Sequence, residues 1–138
     1  MAAVNPYLNF DGTCEEAFNL YKSAFGGEFV NFTRFGDSGP EACEDGEKDK
    51  IMHVSLPIGK NTILMGSDTP HTMPVVKGNQ LHVAIQADSE QEADHLFASL
   101  SAGGQVYMPM GKAPWGAYFG MFVDKFGIQW MINFDYQP

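Results

Sequence analysis

The strongest constraint on this chain is an internal duplication: one order of strand, helix and three strands is written twice, about 76 residues apart. Pro6, Leu8 and Phe10 alternate with Asn5, Tyr7 and Asn9, the two-residue period of a strand with unlike faces. Asp11-Gly12-Thr13 supplies turn and N-cap chemistry, with Glu15 and Glu16 in the favourable first turn. From Cys14 to Phe25, Ala17, Phe18, Leu20, Tyr21, Ala24 and Phe25 recur at helical spacing, and Gly26-Gly27 ends the helix. Glu28 to Phe35, Ile51 to Pro57 and Asn61 to Met65 read as strands, the last two joined around Gly59. The second half repeats the order. Leu81, Val83 and Ile85 alternate with His82, Ala84 and Gln86, and Asp88-Ser89 caps a helix through Ala93, Leu96, Phe97 and Leu100 that Gly103-Gly104 stops. Val106 to Met110, Ala117 to Val123 and Ile128 to Phe134 then read as strands. The helices also open alike, Glu15-Glu16-Ala17 against Gln91-Glu92-Ala93. Two long copies do not make a solenoid, whose repeats are shorter and more numerous. The reading is an α+β fold: a single domain, 1–138, of two βαβββ modules (4–66 and 79–135) joined by linker 67–78.

A chain of 138 residues buries roughly 68–70% of its unfolded surface and needs no metal or disulfide to fold. Cys14 and Cys43 do not make a disulfide framework. Eight basic against 17 acidic residues give a net charge of -9, which argues against nucleic acid and anionic membranes, since both reward clustered positive charge. No apolar run is long enough to span a bilayer, and Met-Ala-Ala-Val-Asn-Pro is no signal segment, so a cytoplasmic location is expected. Two loops stand outside the repeat. Gly36 to Lys50 is acidic and long enough to be mobile or a lid, and Pro109 to Gly116 carries Trp115 in a Gly- and Pro-rich connection.

The ending is the most distinctive stretch, Trp115 to Asn133, reading WGAYFGMFVDKFGIQWMIN. With Pro6-Tyr7-Leu8-Asn9-Phe10-Asp11-Gly12, the Glu15-Glu16-Ala17 helix and Phe25-Gly26-Gly27-Glu28, it resembles the PhnB-like branch of the vicinal oxygen chelate superfamily. That superfamily includes glyoxalase I, bleomycin-resistance proteins and extradiol dioxygenases. The resemblance covers nearly the whole chain. It implies a glyoxalase-like fold, in which paired modules form curled, largely antiparallel sheets around a cavity, usually in a homodimer. The superfamily's enzymes hold a divalent metal on the cavity faces of strands, and the four usual ligand positions fall on Asn5, Leu64, His82 and Met131. Only His82 is a good donor there, whereas such sites need about three N/O ligands. No metal cofactor is therefore expected, and an atypical site at His53 and His82 is the alternative.

Alternation says which side chains share that cavity. If Leu81, Val83 and Ile85 pack under helix, then His82, Ala84 and Gln86 face inward, as do Asn5, Tyr7 and Asn9, and Gln129, Met131 and Asn133. Met52, Val54 and Leu56 packing outward leave His53 and Ser55 inside. This mixed lining suits a neutral or weakly polar organic ligand. The candidate ligand-binding residues are Tyr7, Asn9, His53, His82, Gln86, Trp115 and Met131. His53 and His82 are the catalytic candidates, as a general base and its partner, or else simply hydrogen-bonded scaffold residues. Trp115 either stacks on a ligand or plugs its loop, and Trp130, out of register with Met131, packs beneath a helix. His71 and His95 read as surface residues, Cys14 as a small packed thiol, and Cys43 lies among acids that oppose a thiolate.

Gly36-Asp37-Ser38-Gly39-Pro40 imitates a serine-protease signature, but no histidine precedes Ser38 as that triad order requires. The lack of a Gly-rich dinucleotide-type loop weighs against the methyltransferase label attached to some relatives. The sequence thus reads as a PhnB-like protein that binds a small organic molecule, pairs with a second copy of itself, and works without the usual metal. One alternative is a metal-dependent lyase, isomerase or dioxygenase with an atypical site. The other is a drug-sequestering resistance protein of the bleomycin-binding type, whose -9 charge attracts a cationic drug.

Overall fold

In the computed structural model, which describes residues 2–38, 45–70 and 72–136, the duplicated pattern becomes two units, Met1–Val76 and Lys77–Pro138. Cys43, His71 and the Gly39-Pro40 end of the protease-like motif lie outside the described residues. The first unit carries β1 (Tyr7–Phe10), α1 (Cys14–Phe25), β2 (Asn31–Arg34), β3 (Ile51–Ile58) and β4 (Thr62–Asp68). The second carries β5 (Val83–Gln86), α2 (Glu90–Ser101), β6 (Gln105–Ala113), β7 (Ala117–Val123) and β8 (Gln129–Asp135). Each unit is one four-stranded mixed sheet with one helix against it, in the orders β1-β4-β3-β2 and β5-β8-β7-β6. In each, the strand before the helix pairs parallel with the last strand, and the other neighbours are antiparallel.

In the first unit α1 packs on β3 and β4. Leu8, Phe10, Val54, Leu56 and Leu64 are buried with Cys14, Ala17, Phe18 and Tyr21 of the helix. Phe18 centres the cluster, edge-on to Phe10 and Tyr21 at 6.2 and 5.3 Å. Burying each such ring contributes about 1.5–3 kcal/mol. Thr13 precedes the helix as expected but makes no side-chain cap. The first N–H of the helix, that of Cys14, goes instead to the buried carboxylate of Asp68 at the end of β4 (3.0 Å), whose other oxygen accepts from Ile51 N of β3 (2.8 Å). The expectation for Met52 is overturned. Arg34 pairs with Ile51 while Thr33 pairs with His53, a bulge that inserts one extra residue on β3. Beyond it the alternation slips, so Ile51 is fully buried and Met52 is exposed. At the same strand end Arg34 forms a bidentate pair with Glu15 (2.9 and 2.8 Å) and donates to the Asp49 carbonyl. Arg34 thus ties the Asp49 backbone to α1, and the guanidinium holds the Glu15 carboxyl below the ordinary glutamate value.

The second unit buries Ala93, Leu96 and Leu100 of α2 with Phe122, Trp130 and Ile132. Ser89 caps α2 as its sequence predicts: its hydroxyl accepts from Glu92 N (3.0 Å), and Glu92 accepts in return from Asp88 N (2.8 Å). Trp130 is buried as expected, and its indole N–H donates to Asp124 at 2.9 Å. Two expectations fail here. Leu81 is not under the helix: β5 starts at Val83, Leu81 is 84% exposed, and its carbonyl accepts from Gln129 Nε2. Nor is 109–116 a long connection, because β6 pairs with β7 as far as Ala113↔Ala117, leaving Trp115 in a tight turn.

Tyr118 ties β7 to the helix by donating its hydroxyl to Asp94 at 2.6 Å. That bond, followed by desolvation and the carboxylate's charge, pushes its pKa from 10.0 up to about 12. A raised folded-state value means stability that is whole below the ordinary tyrosine range and is lost as pH rises through the folded value. Thermal midpoints should therefore fall between pH 10 and about 12. Tyr118→Phe should flatten that fall, and an equal fall in the variant would contradict the assignment.

Candidate functional site

The helix covers one face of each sheet, so functional groups are to be sought on the other. In the first unit the strand register places Tyr7, Met65, Ser55 and Asn31 in one row across that face, with Asn9 beside Ser67 and His53 beside Thr33. His53 is the hub. Its Nε2 lies 2.8 Å from the Ser55 hydroxyl and its Nδ1 3.4 Å from the Tyr7 hydroxyl, with the two rings 5.7 Å apart. Ser55 is buried and Tyr7 is 44% exposed, so the cluster runs from the sheet surface outward. Its groups donate and accept hydrogen bonds without a fixed charge, which suits recognition of carbonyl or hydroxyl groups.

In the second unit the register builds two rows. Gln86, Asn133, Phe119 and Gly111 form one, and Ala84, Met131, Met121 and Met108 the other. Asn133 Nδ2 donates to Gln86 Oε1 and to Asp135 Oδ1, both at 2.9 Å, and Gln86 Nε2 donates to Asp135 Oδ2 at 3.2 Å. The three side chains close a ring at one end of the row. Trp115, 66% exposed, meets Phe119 edge to face at 5.6 Å, so it does not plug the core. A niche of 290 Å³ opens there, lined by Met108, Gly111, Trp115 and Phe119 with Pro109 and Pro114.

Of the sequence candidates, Tyr7 and His53 are brought together, and Asn9 shares their face. Gln86 and Met131 share the second unit's face. His82 is half-buried just before β5 in the second unit, while His53 belongs to the first. Asp135 and Phe119 were missed. Both continue alternations already legible in their strands, but Asp135 lies one residue past the expected strand end and Phe119 sat within a run read only as strand. Cys14 is fully buried; desolvation, then the charges of Asp68 and Glu15, push its thiol well up, which leaves it no nucleophile.

The residues present do not fit the superfamily's divalent metal. Leu64 is 1% exposed and pairs with Leu56 on the side facing α1, so it is not on the helix-free face that the resemblance implied. Asn5 Oδ1 already accepts from Ile63 N at 3.0 Å. Met131 offers only a thioether, and among the described residues no group of three or more His, Cys, Asp or Glu side chains is placed to hold an ion. Among them, too, no helix is long and apolar enough to cross a membrane.

A model of the Glyoxalase/Bleomycin resistance protein/Dioxygenase superfamily matches residues 3–132. Protein YjdN of Escherichia coli K12 is 30% identical over 142 residues, covering 94% of this chain and 93% of that protein. The crystal structure of protein PA1353 from Pseudomonas aeruginosa is 40% identical, with a TM-score of 0.90 over 99% of this chain and 100% of that one. The PhnB protein of Bacillus cereus, described as a putative 3-demethylubiquinone-9 3-methyltransferase, is 26% identical, with a TM-score of 0.77 over 96% and 99% of the two chains.

Proposed function

This chain belongs to the glyoxalase/bleomycin resistance protein/dioxygenase superfamily, in its PhnB-like branch, and from that premise we propose that it binds a small organic molecule on the helix-free faces of its sheets, without the divalent metal of the superfamily's enzymes. The observation that carries this reading is the make-up of those faces. Hydrogen-bonding clusters, Tyr7–His53–Ser55 in one unit and Gln86–Asn133–Asp135 in the other, lie beside methionines and aromatic rings. That combination of apolar area and a few fixed polar groups is what small-molecule sites require. The mismatch at the metal positions supports the second half of the proposal.

A thermal-shift screen of metabolite-like compounds tests it. A ligand at 100 times its Kd stabilises the folded protein by about 2.7 kcal/mol, a readily measured shift. His53→Ala should weaken a hit that uses the first unit's face by about ten-fold, since one hydrogen-bonding partner is worth about 1 kcal/mol or slightly more. No stabilisation by any compound would remove the reading. Elemental analysis of protein purified without chelator separates the metal alternative: a stoichiometric metal that returns on reloading would favour a lyase, isomerase or dioxygenase.

The same proposal includes a homodimer in the cytoplasm. Val106, Tyr107 and Met108 on the edge strand β6 are 44, 57 and 46% exposed, apolar area that a second copy would cover. Light scattering that returns the 15.2 kDa of a single chain at micromolar concentration would refute the dimer.

A further inference from the structure

We propose that the helix-free face of the second unit holds a soft monovalent metal ion, copper(I), between the thioethers of Met108, Met121 and Met131. Its donors and its metal chemistry differ from those of the superfamily's divalent centre. The three methionines come from neighbouring strands. Met121 of β7 pairs in register with Met131 of β8 on one side and with Met108 of β6 on the other. Residues directly opposite across antiparallel strands point to the same face, with Cβ atoms about 4.5–5.5 Å apart. Which face follows from their neighbours. Phe122, Trp130 and Ile132, which alternate with Met121 and Met131, are buried beneath α2, so the methionines leave the sheet on the other side. Met108 stands between two irregularities in the β6–β7 register, and its side is confirmed by the niche that it lines together with Phe119, two residues before Met121.

The donor set selects the ion. A thioether is soft and uncharged, which suits copper(I) and leaves hard divalent ions, bound by oxygen, without a reason to stay. Each methionine turns about three bonds, so sulfurs on adjacent strands reach a common point. Met108 is exposed and Met121 and Met131 are half-buried, so an ion has access to the row. Beyond Met131 the row ends in Ala84, whose small side chain leaves space beside the sulfur. Same-face neighbours along the strands are Phe119 and Val123 for Met121, and Gln129 and Asn133 for Met131, so neither strand sets a cationic side chain beside them. Lys112 borders the niche but pairs with Tyr118, whose hydroxyl meets Asp94 of α2 on the opposite face. Met110 marks the contrast: its sulfur and the Phe97 ring of α2 crowd the place where a Gly120 Cβ would stand, so it packs under the helix. The net charge of -9 draws a cation to the chain.

The test supplies copper(I) anaerobically, with ascorbate, to the full chain in competition with the coloured chelator bicinchoninate. The chain carries Cys43→Ser, because a thiolate elsewhere would capture the same ion. One equivalent should be withdrawn from the chelator, and equally across about pH 5 to 8, since thioethers have no proton to lose whereas imidazole and thiolate sites weaken in acid. Met121→Leu, a swap that keeps side-chain volume, should weaken retention by about a hundred-fold, the upper end of what losing even an outer partner costs a metal site. Met110→Leu should leave it unchanged. Silver(I) titration of protein labelled with carbon-13 at its methionine methyls needs no leucine variant: the signals of Met108, Met121 and Met131 should move together and saturate at one equivalent. No retention, retention that Met121→Leu leaves intact, retention lost as histidine protonates, or movement of other methionine signals instead overturns the inference. A compound screen without hits would remove the organic-ligand reading and leave this one standing, and a reloadable divalent metal would bear on the lyase, isomerase or dioxygenase alternative alone.

Discussion

Asp124→Ala is expected to lower the stability of the folded chain by about 4 kcal/mol, one of the two largest effects that the structure implies for single substitutions. Asp124 is 3% exposed and sits in the turn between β7 and β8. One oxygen accepts from Phe126 N (2.8 Å) and Ile128 N (3.0 Å), and the other from the Trp130 indole N–H (2.9 Å). Alanine would remove the carboxylate that three donors share, one of them on Trp130, a fully buried side chain. Each buried orphan costs about 1–3 kcal/mol. Asp124→Asn keeps one oxygen for the two turn amides and sets an amide against the indole, so it should cost about half as much. Urea denaturation followed by near-UV circular dichroism reads both variants. An Asp124→Ala protein within about 1 kcal/mol of the parent would show that the turn is held by its backbone alone.

The second large effect lies against the same turn. A Cβ at Gly104 would run into the Val123 carbonyl oxygen and come within 2.8 Å of the Asp124 carbonyl carbon and 2.9 Å of its Cα. Those atoms are backbone, so no side chain can swing aside. Gly104→Ala should cost about 3 kcal/mol, at the upper end for overpacking, because β6 must lift from β7 where Gln105 pairs with Val123. Gly103→Ala is the informative comparison. There φ is +78° and the nearest atom is Lys125 Cδ at 3.3 Å, so the penalty is conformational, about 1–2 kcal/mol. If the two variants melt alike, the close approach at Gly104 does not limit stability.

Both effects arise where distant segments touch, and the same division runs through the relation of sequence to structure. The first helix spans Cys14–Phe25 and the seventh strand Ala117–Val123, with the ends that their sequence signals predict. These ends depend on capping acids, glycine pairs and periodicity, all of which act between near neighbours. Met52 failed because its face is set by a bulge against Arg34, which no alternation within β3 reveals. Leu81 failed because alternation cannot say where pairing with β8 begins. Gly111 reads as a loop residue beyond the Val106 to Met110 strand, yet β7 recruits Gly111, Lys112 and Ala113 as strand. The helix N-terminus was assigned to its local threonine, while an aspartate 54 residues away accepts the hydrogen bond.

The candidate sites divide the same way. Which side chains leave a strand on the helix-free face follows from a period of two, so Tyr7, His53, Gln86 and Met131 could be named from the chain alone. That His53 meets Tyr7, 46 residues away, and that Asn133 meets Gln86, 47 residues away, depends on strand order and register. The ring of two amides around Asp135 depends on them as well. Alternation and capping are properties of residues in series and are written in the chain. Meetings between strands are settled by how the buried faces of each sheet pack beneath its helix, and only the folded molecule carries that information.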